Sequence, residues 1–359
     1  MKKPLILILY LCFTLILQAQ VSKSVNINAG DLYAAFASNE IGSITNLAIK
    51  GTINANDFQT IKGRMRQLRT LDLNEANIVS CTTRITSLGA IEITDYPANA
   101  IPKNAFYNEY VGPNTNLTSI ILPSSITVIG SGAFNKCSAL TSIIIPNSVD
   151  SIKGGIFNDC SSLNSVTIPS TITSIPDYTF SGCRGLTSII IPSSVKNIGA
   201  YSFYNCSALT SITIPNSVTL IKNHSFANCS ALTSVTVPSS ITSIEDETFN
   251  NCTALTSVTI PNSISKIGYA AFANCISIKS IVIPSSVVFI DASAFNNCKN
   301  LASIYAYQTK PIAFQSEIFS SINTETCILY VPSGSEKAYK SANQWRDFKH
   351  IMKIANAKL

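Results

Sequence analysis

Residues 206–228 read CSALTSITIPNSVTLIKNHSFAN, and the chain on either side is largely copies of that stretch. Cysteines recur every 23 residues at Cys137, Cys160, Cys183, Cys206, Cys229, Cys252, Cys275 and Cys298. Prolines keep the same step from Pro123 to Pro284, and phenylalanines from Phe134 through Phe203 and Phe226 to Phe295. A fixed period of this length predicts a solenoid. Within the unit, Ile212, Thr213 and Ile214 alternate as a strand with one buried face does. Pro215 has no N–H for a ladder and should end that strand. Val218 and Ile221 mark a second short extended stretch, and Phe226 closes the turn over the core. One unit has a single apolar layer and cannot bury it alone; in-register stacking on the next unit does so.

The pattern C-x-x-L-x-x-I-x-I-P-x-S-V-x-x-I-x-x-x-x-F-x-N, held over eight units and roughly residues 115–307, resembles the leucine-rich repeats of the BspA-like, or Treponema pallidum-type, class found on bacterial surface antigens. The fold expected is a leucine-rich repeat solenoid of 23-residue units. Each unit has a parallel β-strand, a second short extended segment and a short turn or 3-10 segment, and helix content is low. The resemblance implies adhesion and attachment to extracellular-matrix proteins.

Residues 1–20 carry Lys2 and Lys3, a run of Leu, Ile and Phe, and the small residue Ala19 near the end, which reads as a secretory signal peptide. The alternative is an uncleaved anchor, for which the apolar run is short and lacks a following basic flank. Cys12 is not preceded by the small residues of a lipoprotein processing site. The expected location is therefore outside the cytoplasm, in the periplasm, at the cell surface or extracellular, with no transmembrane segment in the mature chain. Removing Lys2 and Lys3 lowers the formal charge of +6 by two, and only 12% of residues are charged. Basic and acidic residues nearly balance within the repeats, so no stripe for nucleic acid exists there. The surplus lies at Lys337, Lys340, Arg346, Lys349, Lys353 and Lys358, which reads as a solvated, unstructured tail, the alternative being a contact with an anionic surface.

Eleven cysteines in an exported chain would ordinarily suggest disulfides. Equivalent residues of adjacent turns, however, lie about 4.8 Å apart with parallel side chains, whereas a bridge needs opposed Cβ vectors. The eight periodic cysteines are expected to form a buried column of free thiols. A straight column cannot converge on zinc tetrahedrally.

Upstream of the array, residues 44–49, 68–73 and 88–93 carry the same L-x-x-L-x-L signature at irregular spacing, as terminal repeats do. Residues 21–38, with a possible short helix from Asp31, read as the N-terminal cap. Residues 101–106 copy the closing half of a unit, and a loop about Gly112 and Pro113 should be the longest interruption. Downstream, Leu329 and Val331 give one more strand, Ser335 can cap a short helix, and Tyr339, Trp345 and Phe348 cover the last turn. This segment resembles the C-terminal end of the same family. The expected organisation is thus a signal peptide over 1–20, a cap with irregular repeats over 21–114, the regular array over 115–307 and a C-terminal cap over 308–359.

Chemistry is nearly absent. His224 and His350 stand in no HExxH, HxH or GxSxG-type motif, and no nucleotide-binding glycine loop occurs. No catalytic residue, metal or cofactor is expected. Glu245, Asp246 and Glu247 could suggest a cation site, but adjacent acids on a turn diverge and usually form a solvated edge. The asparagines at 205, 228, 251, 274 and 297 and the outward serines at 142, 165, 188, 211, 234, 257, 280 and 303 serve every turn alike and read as structural.

Specific contact belongs where the units differ. Variation gathers just before the closing Phe, at 153–156 (KGGI), 176–179 (PDYT), 199–202 (GAYS), 222–225 (KNHS) and 245–248 (EDET). Tyr178, Tyr201 and His224 share one unit position and should form a column of rings about 5 Å apart. With Glu245, Asp246, Glu247 and Tyr269 they are the candidate partner-binding residues, the alternative being surface decoration without a partner. The functional expectation is a monomeric, exported, non-catalytic binding module for a protein or glycan ligand. An envelope scaffold without a foreign partner is the second reading, and an enzyme a distant third.

Overall fold

A computed structural model describes residues 20–87, 90–108 and 112–354. The leader expected over 1–20, except Gln20, lies outside the described residues, as do Cys12 and Lys358. The chain winds into a β-solenoid of about 14 turns at ~23-residue spacing, with 7% helix.

The first strands of neighbouring units pair in parallel in segments, Ser142 opposite Ser165, Ser234 opposite Ser257 and Ser280 opposite Ser303, with single bridges at Ile190 to Thr213 and Ser211 to Ser234. Ile143 and Ile145 are buried while Ser142 and Ile144 face out, as the period of two requires. The proline then opens a tight turn, Val218 N donating to Pro215 O at 3.0 Å. The serine of P-x-S-V ties several turns to the one before, as Ser194, Ser217 and Ser286 do, Ser217 Oγ donating to Val195 O at 2.8 Å, whereas Ser148 and Ser263 at the same place find no partner among the described residues. The second extended segments form their own parallel ladder, Ser174 to Asn197 to Leu220. The closing part of each unit in the array is turn rather than 3-10 helix.

One continuous core runs along the axis. The periodic phenylalanines are all buried and stack ring on ring, from Phe106–Phe134 at 5.1 Å to Phe272–Phe295 at 5.7 Å between centroids. Offset stacking adds to the apolar area each ring removes from water. The periodic cysteines are free and buried. Each from Cys160 to Cys298 donates its thiol to the carbonyl of the phenylalanine 26 residues earlier, as Cys206 Sγ does to Phe180 O at 3.1 Å. That bond needs the proton, and burial pushes the thiols of Cys137, Cys206, Cys252 and Cys298 up to about 12.

The two ends differ from the sequence-based expectation. Ser22–Ile27 is a strand in register with Asn46–Ile53, so the stack begins earlier than residues 21–38 suggested. No helix forms from Asp31; a single turn, Ala35 N to Asp31 O at 3.1 Å, fails to propagate. The amides of Gly30 and Leu32 donate instead to Asp57 at 2.8 and 3.0 Å. Asp57 also closes a capping box with Asn54 on the unforeseen helix α1, Ala55–Arg64. Of residues 88–93, 88 and 89 lie outside the described residues and 90–93 are not part of the stacked ladder. Thr70–Asp72 pairs directly with Ser119–Ile121, while Cys81–Ser87 and Ala90–Tyr96 form an antiparallel hairpin outside that ladder. This hairpin, rather than the short Tyr107–Asn108 and Gly112–Pro113 pair, is the longest interruption.

The basic tail is structured through Lys353. Helix α2, Glu336–Ser341, is followed by His350–Lys353, which pairs with Ile328–Val331 as the last strand. Ser335 stands at the helix start but spends its hydroxyl on Thr309 O, at 3.0 Å. Tyr339 OH and Trp345 Nε1 donate to Gln308 O and Ile312 O, both at 2.9 Å, so these large side chains are buried without orphaned polar atoms. Trp345 meets Phe319 at 5.1 Å and closes the ring column, whose other end is closed edge-on by Phe58.

Candidate binding edge

A second, outward column of rings runs two residues before the phenylalanines. Tyr178 and Tyr201 stack at 4.9 Å with 2° between planes, and Tyr201 and His224 at 4.4 Å with 17°. His224 Nε2 then meets Glu247 Oε1 at 3.2 Å, which continues the column by one carboxylate. Tyr204 packs edge-on against Tyr201 at 5.6 Å. Desolvation, then the neighbouring Tyr178, raises the Tyr201 phenol above its ordinary value.

The backbone beneath is left-handed. Tyr178, Tyr201, His224 and Glu247 have φ of 60°, 55°, 57° and 53°, and the equivalent Gly132 and Gly155 have 61° and 65°. Glycine takes this conformation freely, whereas a bulky side chain there is a strained exception. The turn itself explains the angle; nothing in the turn calls for a ring, since Ala270 and Ser293 fill the same place. The asparagine ladder has the same backbone cause, with φ of 59° to 62° from Asn205 to Asn297. Its amides also bond one another, Asn251 Nδ2 to Asn228 Oδ1 at 2.7 Å and Asn297 Nδ2 to Asn274 Oδ1 at 2.8 Å.

The three acids part company. Glu245 accepts from the Ser243 hydroxyl, Asp246 accepts from Tyr269 N at 2.9 Å, and Glu247 accepts from Asn250 Nδ2 at 2.8 Å. Tyr269 is exposed but falls at the Asp246 position, one place before the ring column. Asp177 repeats that capping role one column step from Tyr201, accepting from Ala200 N at 2.8 Å and from Lys222 Nζ at 3.3 Å. It was missed because the rings on either side drew the reading; the shared place of Asp177 and Asp246 in their units was the available signal. Among the described residues no group of three His, Cys, Asp or Glu side chains is placed to hold a metal.

The strand face is also richer than a serine ladder. Between the outward serines stand Ile144 and Ile190, 71% and 84% exposed, and toward the C-terminus Tyr305 and Tyr330 stack at 4.6 Å. Aromatics thus enter this face at the last turns, where the unit's usual outward Thr is replaced.

In-register turns around one buried ring column define a leucine-rich repeat solenoid, whose fold is that of a binding module. Residues 99–233 and 220–344 match the BspA type leucine rich repeat region, in six copies, and the chain belongs to that family. Its members are non-catalytic repeat proteins. Among solved structures, the chain is similar to a T. pallidum leucine-rich repeat protein, at 24% identity over 55% of this chain and 87% of that one with a TM-score of 0.42. A leucine-rich repeat protein of Bacteroides ovatus shares 22% identity over 92% and 88% with a TM-score of 0.44, and the pneumococcal vaccine antigen PcpA 15% over 88% and 80% with 0.43. No curated protein matches the chain. Among the described residues no helix is long and apolar enough to cross a membrane.

Proposed function

We propose that the chain is an exported, surface-displayed adhesion module that binds a foreign protein or glycan as a monomer, through the edge bearing Tyr178, Tyr201 and His224. The observation that carries this reading is the ring stack itself: three flat side chains, two of them tyrosines, held in register on left-handed backbone where glycine, alanine or serine serves other turns. A partner needs a unique register, which identical turns cannot offer, and aromatic residues are the usual anchors of such contacts. Glu245, Asp246, Glu247 and Tyr269 extend the edge as a polar rim.

The test is capture from host-matrix and whole-cell extracts by the parent chain, repeated with Tyr178, Tyr201 and His224 changed together to Ser. The triple change is expected to weaken the captured interaction by more than about 1 kcal/mol while the thermal transition hardly moves. Changing Ser188, Ser211 and Ser234 to Ala is the control. Loss of binding in the serine set alone would move the contact to the strand face, and resistance to protease on intact cells would argue against surface display.

A further inference from the structure

The ring column stops abruptly at Tyr178. One face of that ring is covered by Tyr201, and the other looks along the column over two turns whose equivalent residues are Gly155 and Gly132. A Cβ on Gly155 would fall 4.0 Å from the Cβ of Tyr178, so the missing side chain is the next place in the stack. At the far side Asn104, also left-handed at φ 52°, leans over Gly132: its Oδ1 lies 2.5 Å from where a Cβ on that glycine would sit. The result is a slot of about 440 Å3 with the Tyr178 ring as one wall, glycine backbone as floor and Asn104 as the opposite end. That volume falls within the roughly 300–1,000 Å3 usual for ligand clefts.

The remaining walls are polar. Asn135 accepts from Asn158 Nδ2 at 3.1 Å through its Oδ1, and its own Nδ2 has no partner among the described residues. Asp177 turns its carboxylate the other way, onto Ala200 N and Lys222, and meets the slot with its main-chain oxygen, which accepts from Gly155 N at 2.9 Å. One aromatic plate facing amide donors and acceptors suits a ring with an apolar face and a hydroxylated rim. An aromatic or aliphatic side chain of a protein would leave those polar groups unpaired. Among the described residues no lysine or arginine lines the slot, so an acidic sugar would find no partner for its charge there.

We propose that this slot binds one terminal pyranose of a neutral glycan, stacked on the free face of Tyr178 above Gly155, its hydroxyls bonded by Asn104 and Asn135. The proposal rests on the chain being a binding module and names the ligand class for one end of that edge.

The fold supplies its own blocking variant. Tyr178 and Tyr201 show that this position tolerates tyrosine at φ 60° and 55°, so Gly155→Tyr should extend the stack into the slot without disturbing the turn. The full chain would be applied to an array of immobilised neutral oligosaccharides with gluco-, galacto-, manno- and N-acetylhexosamine termini, with the free monosaccharides as competitors. At least one terminus should bind and be competed. Its affinity should fall at least tenfold in both Gly155→Tyr and Tyr178→Ala, and stay within twofold in Ser211→Ala. Circular dichroism and the thermal transition establish that each variant is folded; if Gly155→Tyr is not, Tyr178→Ala and Asn135→Leu decide. No binding anywhere on the array, or binding retained in folded Gly155→Tyr or Tyr178→Ala, overturns the slot. A protein partner lost in the triple serine variant but kept in Gly155→Tyr would overturn the slot while upholding the edge.

Discussion

Phe203 and Tyr201 stand two residues apart and each belongs to a column of stacked rings, yet the columns answer different needs. Phe203 is fully buried, with neighbours at 5.3 and 5.2 Å in a series that no unit of the array breaks. Tyr201 lies half-buried in a column of three rings on left-handed backbone at the surface, with glycine at the preceding places. The first kind of regularity is imposed by stacking, because every turn must bury its apolar set against the next. The second is local, and the fold would close equally well without it. What repeats in every turn builds the solenoid; what departs from the repeat is free to recognise something.

The largest expected effect breaks the inner column by pH. Its carbonyls accept the thiol protons, and burial raises Cys137, Cys206, Cys252 and Cys298 to about 12 and Cys160, Cys183, Cys229 and Cys275 well above the ordinary 9.0. Below pH 9 both folded and unfolded chains keep these protons, so the stabilisation is intact. As pH rises from 9 toward the folded values, the unfolded chain releases protons that the folded chain retains, and stability falls. The loss is about 1.4 kcal/mol per thiol per pH unit. Eight such groups reach roughly 10 kcal/mol near pH 10, comparable with the roughly 5–15 kcal/mol of a whole domain. Circular dichroism should therefore collapse between about pH 9 and 11, with thiolate absorbance of the column appearing in step, and the eight periodic thiols of native protein at neutral pH should resist thiol reagents, half-buried Cys81 lying outside the column. Thiolate forming on folded protein would show that the column is reachable.

A smaller effect separates the columns by truncation. Phe203→Ala removes a ring from the continuous core and should cost about 3–5 kcal/mol. Tyr201→Ala should cost only about 0.5–1.5 kcal/mol, the value of an aromatic contact beyond its area. Denaturant unfolding of the two variants measures the difference. Equal losses would mean that the outer rings hold the fold together and are no free recognition surface.

The inner column was legible because Phe, Cys and Pro recur at an invariant step, and a strict period admits one stacking. The outer column was legible as far as the shared place of Tyr178, Tyr201 and His224. Its backbone was not read, although Gly132 and Gly155 at the same place, and Asn at the column four residues on, are the residues that left-handed turns favour. Residues 88–93 misled because their L-x-x-I-x-I pattern overlaps the hairpin strand Ala90–Tyr96; the alternating run from Cys81 to Ser87 just before it favoured antiparallel pairing. The tail misled for another reason: its lysines lie at exposed places around buried Tyr339, Trp345 and Phe348, so net charge concealed an ordered cap. Helix α1 and the role of Asp57 depend on contacts across turns that no local pattern carries.

The smallest expected effect isolates the backbone term at Tyr201. A left-handed residue other than glycine costs roughly 1–2 kcal/mol, which Tyr201→Gly relieves. Against that, glycine frees the unfolded chain by about 0.4–1 kcal/mol, and the ring contacts worth about 0.5–1.5 kcal/mol are lost. These nearly cancel, so Tyr201→Gly should lie within about 1 kcal/mol of the parent. Tyr201→Ala keeps the strained φ, as Ala270 does at 49°, and loses the same contacts, so it should be the less stable of the two despite retaining more side chain. At Phe203, where no left-handed angle occurs, the order must invert, with Gly below Ala. If Ala and Gly are ordered alike at both positions, the left-handed angle at Tyr201 carries no strain of its own, and the outer rings lose their claim to a place that only recognition explains.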